Sequence, residues 1–128
     1  MPVLVDSGSR LERVSATMGG QGQPQIHTQI LLRAFGGASP AEAVAAPRLV
    51  VGVQDAGDSR STVTVEADLG DAPITALEAA EELHVRVVAP HSELLGHANL
   101  VGVAADGSLR AAADPRSDGS AVVTGVPE

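Results

Sequence analysis

The sequence predicts an α+β fold in which strands and helices are mixed and some strands are joined as hairpins. Three observations point there. Apolar residues recur with a period near two over Leu11–Met18 and Thr62–Glu66, but near 3.6 over Gln23–Phe35. Asp106-Gly107 stands between two apolar runs, a strong hairpin signal because Asp and Gly tolerate positive φ. Strands and helices do not alternate regularly, which favours α+β layers over a parallel βαβ sheet.

Each element can be justified in order. Val3-Leu4-Val5 is a short apolar strand that ends at the turn cluster Asp6-Ser7-Gly8-Ser9, and Leu11–Met18 is its hairpin partner. Gly19-Gly20-Gln21-Gly22 breaks that strand. Pro24 suits a first helical turn, and Ile26, Ile30 and Ala34 recur at i, i+4, i+8 with Leu31 and Phe35 beside them. Gln25, Gln29 and Arg33 share the opposite face, and Gly36-Gly37 ends the helix. Ser39-Pro40-Ala41-Glu42 is a capping box with Pro at the first helical position; a short helix to Ala46 follows, stopped by Pro47. Arg48–Val53 is strand-like, Gln54–Ser61 a polar loop, and Thr62–Glu66 a strand. Asp71–Leu83 holds a third helix, with Thr75 and Glu78 as a capping pair and Leu77 and Ala80 facing inward. Val85–Val88, Ala98–Ala104 and Leu109–Ala113 are strands, Pro115–Ser120 is a loop, and Ala121–Thr124 is extended.

Composition removes several classes of function. With 16 acidic against 8 basic residues the net charge is -8, which argues against binding a nucleic-acid backbone. Every basic residue is Arg, so no Lys is present to serve a phosphate loop or a Schiff base. There is no Cys, which excludes disulfides, thiolate metal ligands and thiol nucleophiles. Phe35 is the only aromatic, too little for a base-stacking platform. The apolar content is 44%, but mostly Ala and Val. At roughly 25 cal/mol per Å² of buried apolar area, such a core is thin and predicts marginal stability or a partner surface. The opening Met1–Asp6 has neither the basic nor the long apolar region of a signal peptide, and no apolar run suits a bilayer, so a cytoplasmic, membrane-free location is expected.

Three places could carry chemistry. In Thr17–Gly22 a strand, a glycine-rich turn and a helix follow one another, the setting in which backbone amides can cradle a phosphate or an oxyanion; a plain tight turn is the alternative. It is not a dinucleotide fingerprint, because Gln25 occupies the third glycine position. His27 falls on the apolar face of its helix, either as a hydrogen-bonded core histidine or as a buried base or ligand. His27, His84, His91 and His97 lack metal-ligand spacing, and no metal or other cofactor is expected. Asp114-Pro115-Arg116 and Arg48 read as structural charge pairs, with a substrate-carboxylate site as the alternative. No Gly-x-Ser-x-Gly elbow is present. Asp55/Asp58, Asp68/Asp71 and Glu81/Glu82 read as solvated surface.

Thr17-Met18-Gly19-Gly20-Gln21-Gly22-Gln23-Pro24-Gln25, the helix with Gln29-Ile30-Leu31-Leu32, and Ser39–Arg48 resemble, in that order, the γ-glutamyltransferases (γ-glutamyltranspeptidases). Asp106-Gly107-Ser108-Leu109 and Ala113–Gly119 resemble the C-terminal end of the same family. The resemblance implies an N-terminal-nucleophile hydrolase, a four-layer αββα sandwich made as one chain that cuts itself into a large and a small subunit. It implies a small-subunit N-terminal Thr that takes a γ-glutamyl group from glutathione-like donors to water, amino acids or peptides; some relatives act on cephalosporin side chains. It implies that Gly19 and Gly20 form the oxyanion hole.

The family's catalytic Thr lies well upstream of the Gly-Gly pair, whereas only eighteen residues precede Gly19 here, beginning with Met1. Residues 1–128 are therefore expected to be one partial domain, the C-terminal portion of a small subunit. Its partners would be the missing upstream and large-subunit segments, with a γ-glutamyl small molecule bound by the full-length parent. The chain by itself is expected to lack the activity. The alternative is a non-catalytic remnant or anion-binding module.

Overall fold

The computed structural model describes residues 1–125. It holds two sheets and three α-helices. β1 (Pro2–Ser7), β2 (Arg10–Met18), β6 (His97–Val103) and β7 (Leu109–Ala113) form an antiparallel sheet in that order. β3 (Leu49–Val51), β4 (Thr62–Glu66) and β5 (His84–Val88) form the second sheet, with β3 antiparallel and β5 parallel to β4. The helices are α1 (Gln23–Phe35), α2 (Pro40–Ala45) and α3 (Asp71–Glu78).

Both predicted hairpins form. At the second, only Gly107 takes positive φ, at 83°, while Asp106 accepts a bond from the Ser108 amide at 2.9 Å. The capping box of α2 is complete: Ser39 Oγ accepts from the Glu42 amide, and the Glu42 carboxylate accepts from the Ser39 amide.

The registers Ser15↔Leu100↔Ala112 and Thr17↔Ala98 put those side chains on the face that α1 and α2 cover. There they join Ile26, Ile30, Ala34, Ala43, Val44, Val50 and Leu95 in one core. The opposite face carries Leu4↔Val14↔Val101↔Ala111 and Val103↔Leu109, and nothing among the described residues covers it. Leu4 is 64% and Met18 58% exposed there.

Several expectations are corrected. β4, α3 and β5 make a parallel βαβ unit, which the irregular order of elements concealed. α3 occupies Asp71–Glu78 of the Asp71–Leu83 stretch, and Gly70 rather than Thr75 precedes it without a side-chain cap. Leu77 and Ala80 are only half-buried. Phe35 is 56% exposed, its ring covered by the Arg13 guanidinium at 4.7 Å.

The polar face of α1, opposite its apolar stripe, does structural work. Gln25 Nε2 donates to the Val51 carbonyl at 2.8 Å and Gln25 Oε1 accepts from the Val51 amide at 2.9 Å. Gln29 makes the same pair with Leu49, at 2.8 and 3.2 Å. Four helical residues rise about 6 Å and two strand residues about 6.6 Å, so amides at i and i+4 match alternate residues of a strand. The edge of β3 is thereby closed against further pairing.

Candidate functional site

β2 ends at Met18, opposite His97 of β6. The chain then turns sharply: Gly20–Gly22 is a single 3-10 turn closed by the Gly22 amide on the Gly19 carbonyl at 2.9 Å, and α1 follows at once. Gly20 has φ 53°, and a Cβ there would meet open space. Gly22 is packed under Val50, whose Cγ1 would lie 3.1 Å from an added Cβ. No described acceptor binds the amides of Gly19, Gly20 or Gln21. Free N–H groups with a helix N-terminus behind them suit a developing negative charge.

His27 is 4% exposed on the core side of α1. Its Nδ1 lies 3.0 Å from Ser15 Oγ and its Nε2 3.1 Å from the Met1 carbonyl. A carbonyl only accepts, so Nε2 carries the proton and Nδ1 accepts from Ser15. Burial holds the pKa of His27 below the usual value; the bond to Met1 opposes this and the nearby N-terminal ammonium reinforces it. Neutral and satisfied on both nitrogens, it is a core histidine.

Asp114, Arg48 and Arg116 meet in one buried cluster, together with Glu66, each at most 3% exposed. Arg48 Nη2 lies 2.6 Å from Asp114 Oδ2, and Arg116 Nη1 3.0 Å from Asp114 Oδ1. Arg116 also grips Glu66 in bidentate fashion, Nε to Oε1 at 2.8 Å and Nη2 to Oε2. Backbone amides fill the remaining carboxylate positions. Arg48 N donates to Glu66 Oε2 and Ser92 N to Glu66 Oε1, both at 2.9 Å; Ala98 N donates to Asp114 Oδ2 at 2.8 Å and Arg116 N to Asp114 Oδ1 at 3.0 Å. The carbonyls of Val44, Ala46 and Gly96 accept from the two guanidinium groups. Two cations and two anions balance, and nearly every polar atom is satisfied, as burial of charge demands. For Arg116 burial is a lowering influence, but the bonds and charges of Glu66 and then Asp114 outweigh it, so its pKa is raised.

Sequence reasoning gives Glu66 no role beyond ending an alternating strand. The signal was its position: it shares a face with Thr62 and Thr64, and β4 is buried on both faces, as a strand inside a mixed sheet is. Asp58, by contrast, serves a local role. It accepts the amides of Gln54 and Asp55 and pairs with Arg86 at 3.1 Å, which shapes the Gln54–Ser61 loop. Among the described residues no group of three or more His, Asp or Glu side chains is gathered to hold a metal ion, and no helix is long and apolar enough to cross a membrane.

Residues 1–124 match the family model described as Gamma-glutamyltranspeptidase. The chain is 37% identical over 123 residues to a Glutathione hydrolase-like YwrD proenzyme of Bacillus subtilis, covering 95% of this chain and 23% of that protein. It is 34% identical over 109 residues to an Oxamate amidohydrolase proenzyme of Klebsiella pneumoniae, covering 84% of this chain and 20% of that protein. It therefore spans only about a fifth of the length of these relatives. Among solved structures, a gamma-glutamyltranspeptidase from Pseudomonas nitroreducens superposes with TM-score 0.78 at 21% identity, over 98% of this chain and 62% of that one. A cephalosporin acylase from Bacillus halodurans superposes with TM-score 0.78 at 24% identity, over 98% of this chain and 22% of that one. These likenesses establish the fold, an arrangement of mixed helices and sheets shared with both structures.

Proposed function

Because this chain belongs to the gamma-glutamyltranspeptidase family, we propose that it supplies the oxyanion turn and part of the scaffold of an enzyme acting on γ-glutamyl amides. The full-length protein would pass a γ-glutamyl group from a glutathione-like donor to water or an amino acid. Its nucleophile would be an N-terminal Thr upstream of residues 1–128, which form one partial domain of a small subunit.

The observation that carries this reading is the turn after β2. Gly20 adopts a backbone angle that a Cβ would disfavour, in open space, and the amides of Gly19 and Gly20 have no internal acceptor. When an acyl carbonyl is attacked its oxygen becomes an oxyanion, and two preset N–H donors lower the barrier because they bind that charge more strongly than the ground-state carbonyl. The relatives' names, a glutathione hydrolase-like protein and an amidohydrolase, both describe cleavage next to a carbonyl. The uncovered apolar face of the β1-β2-β6-β7 sheet supports the partner assignment, since the upstream segments would supply the facing layer.

The test is Gly20→Pro in the full-length, processed protein, which removes the N–H but also excludes φ 53°. Gly20→Ala, which strains the angle and keeps the N–H, is therefore measured beside it and should lose much less. Turnover of a γ-glutamyl anilide by Gly20→Pro should fall by about 10²–10³ in kcat with little change in KM. A correctly processed, folded Gly20→Pro variant with near-normal kcat would return the turn to a plain connection. Comparing a γ-glutamyl anilide with oxamate and a cephalosporin-type amide identifies the acyl class.

A further inference from the structure

The Gly19–Gly22 turn rests on a third glycine that is remote in sequence. Gly96 leads from the 3-10 turn Glu93–Leu95 into β6, with φ 70°. A Cβ on Gly96 would stand 2.4 Å from the Met18 carbonyl oxygen, 2.7 Å from Ile26 Cδ1 and 3.1 Å from Gly19 Cα. A Cβ on Gly19 would in turn meet Ile26 Cδ1 at 2.9 Å and Gly96 Cα at 3.2 Å. The two backbones thus touch directly, with Ile26 wedged beside them. On its other side the Gly96 carbonyl accepts from Arg48 Nη1 at 3.1 Å. Arg48 is wholly buried, and its Nη2 is held by Asp114 at 2.6 Å and by the Val44 carbonyl at 2.9 Å.

We propose that Gly96 is a positioning residue for the oxyanion turn: Arg48 fixes the Gly96 backbone, and that backbone sets where Met18 and Gly19 stand. The directions of the Gly19 and Gly20 N–H groups follow from that contact. The inference rests on the oxyanion reading of those two glycines. It assigns the three glycines different work. Gly20 is needed for its angle, since the space around it is open, Gly19 for closeness, and Gly96, at φ 70°, for both. A side chain at Gly96 pushes on backbone, at the Met18 carbonyl; one at Gly19 pushes first on the flexible end of Ile26.

Gly96→Ala, Gly19→Ala and Gly20→Pro, made in the full-length processed protein, test this with kcat and KM for a γ-glutamyl anilide. Displacing preset donors by a fraction of an ångström to an ångström should lower kcat of Gly96→Ala about 10- to 100-fold with KM almost unchanged, and that of Gly19→Ala less. Adding Ile26→Val to Gly96→Ala removes the Cδ1 contact but not the one with the Met18 carbonyl. It should therefore leave kcat unrecovered, whatever part of the melting temperature returns. Near-normal kcat in either alanine variant, or recovery of kcat by Ile26→Val, would overturn the proposal. Where Gly96→Ala yields no processed protein, Gly19→Ala decides. Loss of kcat in Gly20→Pro beside normal kcat in Gly96→Ala refutes only this inference; normal kcat in Gly20→Pro refutes the oxyanion reading beneath it.

Discussion

Replacing Glu66 by Gln changes the shape of the buried cluster hardly at all and its electrostatics completely. Each carboxylate oxygen accepts two hydrogen bonds: Oε1 from Ser92 N and Arg116 Nε, Oε2 from Arg48 N and Arg116 Nη2. A glutamine must turn its NH₂ toward one of these pairs, so either orientation sets a donor against two donors. Two buried N–H groups then lose their acceptor, at about 1–3 kcal/mol each. Two guanidinium cations are also left with only Asp114, and leaving a buried charge unpaired typically costs about 3–5 kcal/mol. A domain's whole stability is about 5–15 kcal/mol. Urea unfolding of the 128-residue chain, followed by circular dichroism, should show a loss of about 3 kcal/mol or more. The melting temperature should fall by about 10 °C or more; if the parent margin is thin, the variant is unfolded without denaturant. The double variant Glu66→Met with Arg116→Met removes both charges, so its cost should be smaller than the sum of the two singles by at least about 1 kcal/mol. A Glu66→Gln loss under about 1 kcal/mol, or an additive cycle, would refute the account of the cluster as a coupled unit.

Two further outcomes follow from the geometry. The pKa of His27 is lowered by burial, so the stability tied to its neutral form is fully present above its ordinary value of 6.5 and is lost as pH falls through the lowered one. Unfolding measured from pH 8 to 5 should show this slope in the parent chain and not in His27→Gln; identical slopes would contradict it. Ser39→Ala should cost about 0.5–2 kcal/mol through loss of the α2 cap, read by the same urea titration, and no measurable loss would mean that packing alone holds α2.

Local chemistry made much of this molecule readable. The hairpins, α1 and the capping box all depend on residues within a few positions of one another. What sequence reasoning missed depends on partners far away. Gln25 and Gln29 carry the polar pattern of a solvated helix face; only the placement of β3 makes them edge-pairing groups. The parallel pairing of β4 with β5 was hidden because α3 is short and has no buried residue, so its apolar stripe is faint. Asp114 and Arg116 are two residues apart and could be paired on paper. Their links to Glu66 and Arg48 span fifty and sixty-six positions, and a carboxylate at the end of an alternating strand gives no local sign of such a partner. The role of Gly96 was likewise illegible, because one glycine before a strand looks like any turn.

The buried cluster also bears on how the molecule comes off the ribosome. Arg116 bonds to Val44, Ala46 and Glu66 across 72, 70 and 50 residues of chain. Closing loops of that length is entropically costly and slow, and little is gained until all the charged partners are present. Between the synthesis of Arg48 and Glu66 and that of Asp114 and Arg116, the first two lack these counterions and are better left hydrated. The cluster therefore cannot close before the Asp114-Pro115-Arg116 turn has been synthesised.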